Sequence, residues 1–413
     1  MKRIIVVGGG AAGIAAAISA AAPLAHNPKL EVLLLEGLDK VGKKILATGN
    51  GRCNLTNSQI SAEHYFSSSP KAMRDFLKYM PTEQALTLFR SFYMLTAEED
   101  MGRIYPHTRM ATTVREVLLR GLNTQGVVVK TEHKVTSITP EKGGYTVHCS
   151  NGTAFFGDAV ILAAGGKAAP KQGTDGDGFL LAQQLGHTIA PIYPCLTAFR
   201  SDAKYCKGLK GVRAHGDVTL KLNGREWAKE SGEIQFTDYG ISGIPAFQLS
   251  CHMRPGRNNA ELVIDLIPSL GIDNLVRMLR EARFYENEAL IDAIPQGLVH
   301  PKLLSCAFEV AKLNKSQPVK KTTDQHYISL AHAIKRLPFP VSGVLGWDQA
   351  QVTGGGVSLD ELNADFSSKR HPGLYLVGEL LDVVGECGGY NLHWAWASGI
   401  RAGIFAKDSL LKK

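Results

Sequence analysis

A run of glycines near the start of the chain constrains the fold more than any other feature. The β-branched stretch Ile4-Ile5-Val6-Val7 leads into Gly8-x-Gly10-x-x-Gly13, and an alanine-rich run from Ala11 to Ala22 overlaps and follows it. β-branched residues favour strand and alanine favours helix, so the segment reads as strand, turn, helix. In such a turn the first glycine permits the tight bend. The second lets a pyrophosphate touch backbone, and the third lets helix pack on strand. Ala11 and Ala12 belong to the same candidate turn. A second apolar run, Leu30 to Leu35, follows Pro23 and Pro28 and ends in Glu36, 23 residues after Gly13. A carboxylate there accepts hydrogen bonds from adenosine ribose hydroxyls and repels a 2′-phosphate, which points to FAD or NAD rather than NADP.

Other readings of this region fail. Ile4 to Pro28 carries no charged residue and follows Lys2-Arg3, as a signal peptide or a membrane span would. Four glycines at Gly8, Gly9, Gly10 and Gly13 would weaken a lone membrane helix, and the apolar stretch splits into strand-like and helix-like halves. The 413 residues suggest two to three domains, and 44% hydrophobic with 20% charged residues is ordinary globular composition. Seven cysteines without a Cys-x-x-Cys exclude a disulfide scaffold, a zinc ribbon and a dithiol motif, so a reducing cytoplasm is expected. The 13 histidines show no metal-site spacing, and neither a P-loop nor a Gly-x-Ser-x-Gly elbow occurs, so no metal is expected.

Later glycine clusters separate FAD from NAD. Gly42-Lys43-Lys44 and Gly49-Asn50-Gly51-Arg52-Cys53-Asn54 form a loop able to offer N–H groups and cations to a second phosphate. The apolar strand Ala159 to Leu162 runs into Ala163-Ala164-Gly165-Gly166. Another strand ends in Gly378-Glu379, suited to the ribityl side of a flavin. Beyond it, Gly389-Tyr390-Asn391 opens a helical run whose N-terminal amides favour negative charge on a reduced flavin. Segments from both ends of the chain thus converge on one long cofactor. No second strand-GxGxxG-helix-acid unit exists, so NAD(P)H, if it is the electron donor, enters transiently.

The stretches Gly49-Asn50-Gly51-Arg52-Cys53-Asn54-Leu55-Thr56-Asn57, Gly102-Arg103-x-Tyr105-Pro106, Val352-Thr353-Gly354-Gly355-Gly356-Val357 and Gly388-Gly389-Tyr390-Asn391-Leu392 with Trp394-Ala395-Trp396 resemble the HI0933-like flavoproteins. This bacterial family of FAD-dependent oxidoreductases includes aminoacetone oxidase and a 3-dehydro-bile-acid reductase. The resemblance runs from about residue 3 to about residue 405 and implies tightly bound FAD, a discontinuous Rossmann-like domain and an inserted substrate region. It leaves the reaction open among oxidase, dehydrogenase and reductase. Val135 joins the cofactor-binding set. Glu379 stands where many flavoproteins carry Asp.

The expected fold class is α/β: a Rossmann-like FAD domain over 1–190 and 341–413, with an inserted β-barrel-like domain over 191–270 and about 325–340, and a helical insert over 271–325. Period-two alternation and the Asn151-Gly152 and Asn223-Gly224 turns mark hairpins, whereas Pro70 to Arg90, Thr112 to Leu122 and Asp273 to about Leu337 have helical spacing. A ligand pocket between domains is a common arrangement.

A bound flavin performs hydride transfer, so the protein needs no external nucleophile. Arg52, Asn54, Asn391 and His393 are the catalytic candidates, able to hydrogen-bond flavin or substrate. Tyr105, His107 and Arg109 form a polar cluster nearby. The net charge of +8 raises a nucleic-acid-modifying flavoprotein as an alternative, as does a non-catalytic redox partner. Basic residues occur as scattered pairs, Lys43-Lys44, Lys320-Lys321 and Lys412-Lys413, so the charge is read as attracting a small anionic substrate, with neither nucleic acid nor membrane as partner.

Overall fold

The opening segment folds as its spacing requires. In the computed structural model, which describes residues 1–22, 29–285 and 288–411, β1 (Lys2–Val7), α1 (Ala11–Ala21) and β2 (Leu30–Leu35) form a strand–helix–strand unit. Pro23, Pro28 and the Lys412-Lys413 pair lie outside the described residues. β1 pairs in parallel with β2, Val7 against Leu35, and on its other edge with the strand Ala159–Leu162, Val7 against Leu162. Leu374–Leu376 and Val128–Lys130 complete a five-stranded parallel sheet in the order 374–376, 159–162, β1, β2, 128–130. The three central strands are apolar without alternation because parallel sheets of this type are covered on both faces.

One cover is α1, whose residues Ala12 to Ala21 are all buried. The C-terminal helix Tyr390–Leu411 lies against it. A Cβ on Gly399 would sit 2.2 Å from the Ala12 carbonyl oxygen, and one on Gly403 would sit 2.3 Å from that of Ala16. Small residues four apart on both helices therefore let the two backbones touch. The segment 70–90 forms two helices, Pro70–Leu77 and Thr82–Arg90, separated at Pro81. A further helix spans Ala111–Thr124. An antiparallel meander, Val135–Glu141, Gly144–Cys149 and Ala154–Gly157, turns at Asn151-Gly152, where Gly152 takes φ +83°.

The chain divides into two compact units, Met1–Tyr193 with Gln351–Lys413, and Pro194–Ala350. The second is a closed six-stranded antiparallel barrel in the order Phe199–Ser201, Gly240–Ser242, Arg225–Phe236, Arg213–Leu222, Ala260–Asp265, Leu337–Val344. It closes where Phe199–Ser201 pairs with Leu337–Val344. Asn223 and Gly224 both take positive φ, 52° and 76°, in the two-residue hairpin turn expected from their identity. Val218, Leu220, Ile234, Phe236, Leu262, Ile264 and Phe339 fill the interior, and the helices Ile272–Tyr285, Pro301–Val310 and Asp324–Lys335 belong to the same unit.

Two boundaries differ from the sequence reading. The helical spacing read to about Leu337 does end there, with a helix reaching Lys335 and strand from Leu337, so the β part of the insert, bounded at about 325, opens on a helix that Thr323 caps. The cap is reciprocal, with His326 in place of the usual Glu or Gln, which hides it from a motif search. Residues 341–350, expected in the Rossmann-like domain, belong to the barrel unit, since Leu337–Val344 is one of its strands.

Candidate flavin site

Backbone contact explains the first glycine cluster. Gly8 takes φ +104°, and a Cβ there would lie 2.5 Å from the Ala163 carbonyl oxygen; one on Gly13 would lie 1.8 Å from that of Gly8. Strand end, turn and helix therefore touch through main chain alone. Gly10 differs: a Cβ on it would meet nothing within 4 Å. Gly10 is also the N-cap of α1 and brings no side-chain oxygen to the helix end, so the first-turn amides of Ala11, Ala12 and Gly13 face an anion-favouring space.

Glu36 follows β2 and anchors the loop. Its Oε2 accepts from the Gly9 amide at 2.8 Å and its Oε1 from the Leu38 amide at 2.8 Å. Burial pushes this carboxyl above its ordinary value, opposed by those two amides, by the Gly37 amide and by the charge of Lys43. The Glu36 carbonyl accepts from the His133 amide, and Val135, buried, opens the next strand. Gly42 takes φ +74° and donates its amide to the Gly9 carbonyl at 2.7 Å, which carries Lys43 and Lys44 to the turn.

The later clusters close on the same place. Lys44 Nζ lies 2.7 Å from Glu379 Oε2, while Glu379 Oε1 accepts from the Thr353 amide at 2.9 Å. A Cβ on Gly166 would lie 2.7 Å from that same Oε1. Thr353 Oγ1 accepts from the amides of Lys167 and Ala168 at 2.7 and 2.9 Å, fixing the turn after Ala163-Ala164-Gly165. A Cβ on Gly378, φ +73°, would meet that of Ala12 at 2.8 Å. Thr353 and Arg115, whose Nε donates to the Val41 carbonyl at 2.8 Å, escaped the sequence reading. Thr353 sits in a glycine-rich segment that was noticed without a role for its hydroxyl; Arg115 has no local signal.

The loop 48–54 is built from left-handed residues: Gly49, Asn50, Gly51 and Cys53 have φ 56°, 54°, 81° and 56°. Cys53 is fully buried, and burial pushes its thiol up to about 12, against a hydrogen bond with Thr48, so it packs as an inert group. Asn54 is buried, and its Oδ1 has no hydrogen-bond partner. A Cβ on Gly389, φ +98°, would come within 2.8 Å of that oxygen. A buried, unpartnered acceptor beside a bare glycine backbone is a place for a ligand donor.

Two of the catalytic candidates, His393 and Asn391, already have their side-chain hydrogen bonds engaged within the fold, and Arg52 holds an ion pair. His393 is fully buried; its Nε2–H donates to the Met80 carbonyl and its Nδ1 accepts from the Thr56 hydroxyl, both at 2.9 Å. Burial pushes the imidazole down to about 4, so it is a neutral, satisfied core histidine. Asn391 spends its amide on its own turn, accepting from the Gly385 amide and donating to the Gly385 and Glu386 carbonyls. Arg52 pairs with Glu99 at 2.5 Å, its guanidinium 4.2 Å from the Tyr105 ring centroid. Tyr390 is buried and stacks on His64 at 4.5 Å.

The residues fit FAD: open space at Gly10 for phosphate, a carboxylate at Glu36 for ribose, cations at Lys43 and Lys44, and an orphan acceptor at Asn54. Among the described residues no group of three or more His, Cys, Asp or Glu side chains could hold a metal ion, and no helix is long and apolar enough to cross a membrane. Parallel sheet, cradle and inserted antiparallel barrel together define a Rossmann-type flavoprotein oxidoreductase. The chain belongs to the HI0933-like family, whose Rossmann-domain model matches residues 2–405. It is 36% identical over 412 residues, 99% of this chain and 100% of the relative, to a 3-dehydro-bile acid delta(4,6)-reductase of Clostridium scindens. It is 27% identical to a ribosomal RNA dihydrouridine synthase of Escherichia coli, covering 95% of each chain. A 3-ketosteroid-delta4-(5alpha)-dehydrogenase from Rhodococcus jostii shares the fold, with TM-score 0.51 and 16% identity over 98% of this chain and 97% of that one.

Proposed function

We propose that this enzyme is an FAD-dependent reductase that saturates a carbon–carbon double bond conjugated to a carbonyl in a small organic molecule. The observation that carries the reading is the 36% identity to a delta(4,6)-reductase of 3-dehydro bile acids, spread over 99% of the chain. A 3-oxo steroid with such double bonds is an electron-poor alkene, and so is the uracil ring reduced in dihydrouridine synthesis. When bound and reduced by two electrons, FAD would supply a hydride for the β-carbon, the reduction being completed by a proton at the α-carbon and leaving the flavin oxidised.

The chain's part is to bind and orient. Gly8, Gly10, Ala11, Ala12 and Gly13 present backbone to the pyrophosphate, and Lys43 and Lys44 offset its charge. Glu36 would accept from the ribose, and Val135 would help hold the adenosine half. Ala163, Ala164, Gly165, Gly378 and Glu379 line the ribityl side. Gly42 would join the phosphate side, while Gly51, Arg52, Cys53 and Asn54 from one loop and Gly389, Tyr390 and Asn391 from the other would frame the ring, with Asn54 Oδ1 accepting from it. If NAD(P)H is the electron donor, it enters transiently, because no second glycine fingerprint provides it a seat. Seven cysteines without a Cys-x-x-Cys pair suit a reducing cytoplasm.

A second reading, reduction of uridine in RNA, is favoured by the two ribosomal RNA dihydrouridine synthases and by the charge of +8. Anaerobic half-reactions separate the readings. The reduced enzyme is mixed with a Δ4-3-oxo steroid or with a uridine-containing RNA, and the oxidised enzyme with a primary amine. Return of the oxidised flavin spectrum with the steroid is expected. Return with RNA alone would install the second reading. Bleaching by the amine, with peroxide on admitting air, would make the protein an oxidase.

A further inference from the structure

We propose that Arg52 and Arg109 form a subsite for a carboxylate on the substrate, with Glu99 as its internal occupant in the absence of that substrate; this rests on the reductase reading above. Arg52 Nη2 and Arg109 Nε converge on one oxygen, Glu99 Oε1, at 2.5 and 2.7 Å. Two cations against one anion leave the trio with an excess positive charge, and beyond the contacts to Glu99 and that of Arg109 Nη1 to the Pro106 carbonyl the two planar guanidiniums keep N–H donors suited to a carboxylate. None of the three is sealed off: their side chains are 40%, 35% and 31% exposed.

The arrangement is built rather than incidental. The buried Tyr105 ring lies beneath both guanidiniums, 4.2 Å from Arg52 Cζ and 5.9 Å from Arg109 Cζ, which fixes their planes. Arg109 takes φ +57°, a conformation that costs a non-glycine residue free energy and persists only where the surroundings impose it. Its amide is held by the Pro106 carbonyl at 2.9 Å. Arg52 stands two residues from Asn54, whose unpartnered oxygen faces Gly389, so the cations border the place assigned to the flavin ring. Glu98 and Asp100 flank Glu99 in sequence. Three consecutive acids weigh against a polyanion such as an RNA backbone.

The test uses a Δ4-3-oxo steroid carrying a side-chain carboxylic acid and its methyl ester, offered to the reduced holoenzyme. The acid is expected to show the lower KM. Arg109→Gln should shrink the ester-to-acid KM ratio roughly tenfold, the loss of about one charge-assisted contact, and Glu99→Gln should enlarge it by freeing the arginines. Equilibrium binding of the corresponding saturated acid to the oxidised holoenzyme should weaken in Arg109→Gln, independently of turnover. Equal KM values for acid and ester, or an Arg109→Gln loss shared equally by both, would overturn the subsite. If neither steroid is reduced, the reductase reading fails, and preferential binding of saturated acid over saturated ester still decides the subsite. Arg109-dependent reoxidation by a uridine oligonucleotide, with no acid preference, would assign the arginines to phosphate and refute the proposal.

Discussion

Acidification should destabilise this protein through one buried histidine. His393 is sealed in the core with both ring nitrogens engaged, and burial lowers its pKa from 6.5 to about 4. The folded state therefore holds the ring neutral over a range in which the unfolded chain protonates it. The stabilisation is fully present above pH 6.5 and is lost as pH falls through the interval down to about 4. A difference of that size corresponds to roughly 3 kcal/mol once both states are protonated, and to about 2 kcal/mol at about pH 5. The assay is denaturant unfolding of the holoenzyme at about pH 7.5 and about pH 5, followed by tryptophan fluorescence, for the wild type and His393→Gln. The substitution lowers stability at both pH values, since one of two buried hydrogen bonds is compromised, but it should remove about 2 kcal/mol from the difference between them. An unchanged difference would refute the reasoning, as would an imidazole NMR signal of His393 titrating near 6.5.

Glu36→Ala removes the carboxylate assigned to the ribose and should weaken FAD roughly 10- to 100-fold, read by quenching of FAD fluorescence, as for loss of one charge-assisted hydrogen bond. Gly13→Ala places a Cβ 1.8 Å from the Gly8 carbonyl oxygen; with backbone on both sides the turn must open, and the purified protein should lose its yellow colour. Cys53, with its thiol pushed up to about 12, should resist alkylation in the native protein, while the partly exposed Cys387 reacts first by mass spectrometry.

Much of the fold was legible because its determinants are local. The hairpin turns at Asn151-Gly152 and Asn223-Gly224, the strand–turn–helix at Gly8 to Gly13, and the switch from strand to helix spacing near Asp273 all rest on residues a few positions apart. The start of the helix Asp324–Lys335 has a local cause as well, but a disguised one, since His326 closes the cap that Glu or Gln usually closes. Gly399 and Gly403 show where pattern reading stops. Both lie inside a helix, where glycine is a poor choice, and only the backbone of α1 against them explains it.

The sequence by itself determined where main chain must approach main chain or a ligand, because a missing Cβ and a positive φ are properties of a single residue type. Tertiary structure decided what the polar side chains do. His393 meets Thr56 across 337 residues, Lys44 meets Glu379 across 335, and Arg52 meets Glu99 across 47. A hydrogen bond or ion pair belongs to two residues at once, and until folding brings the second to the first, the chemistry of either one is unassigned.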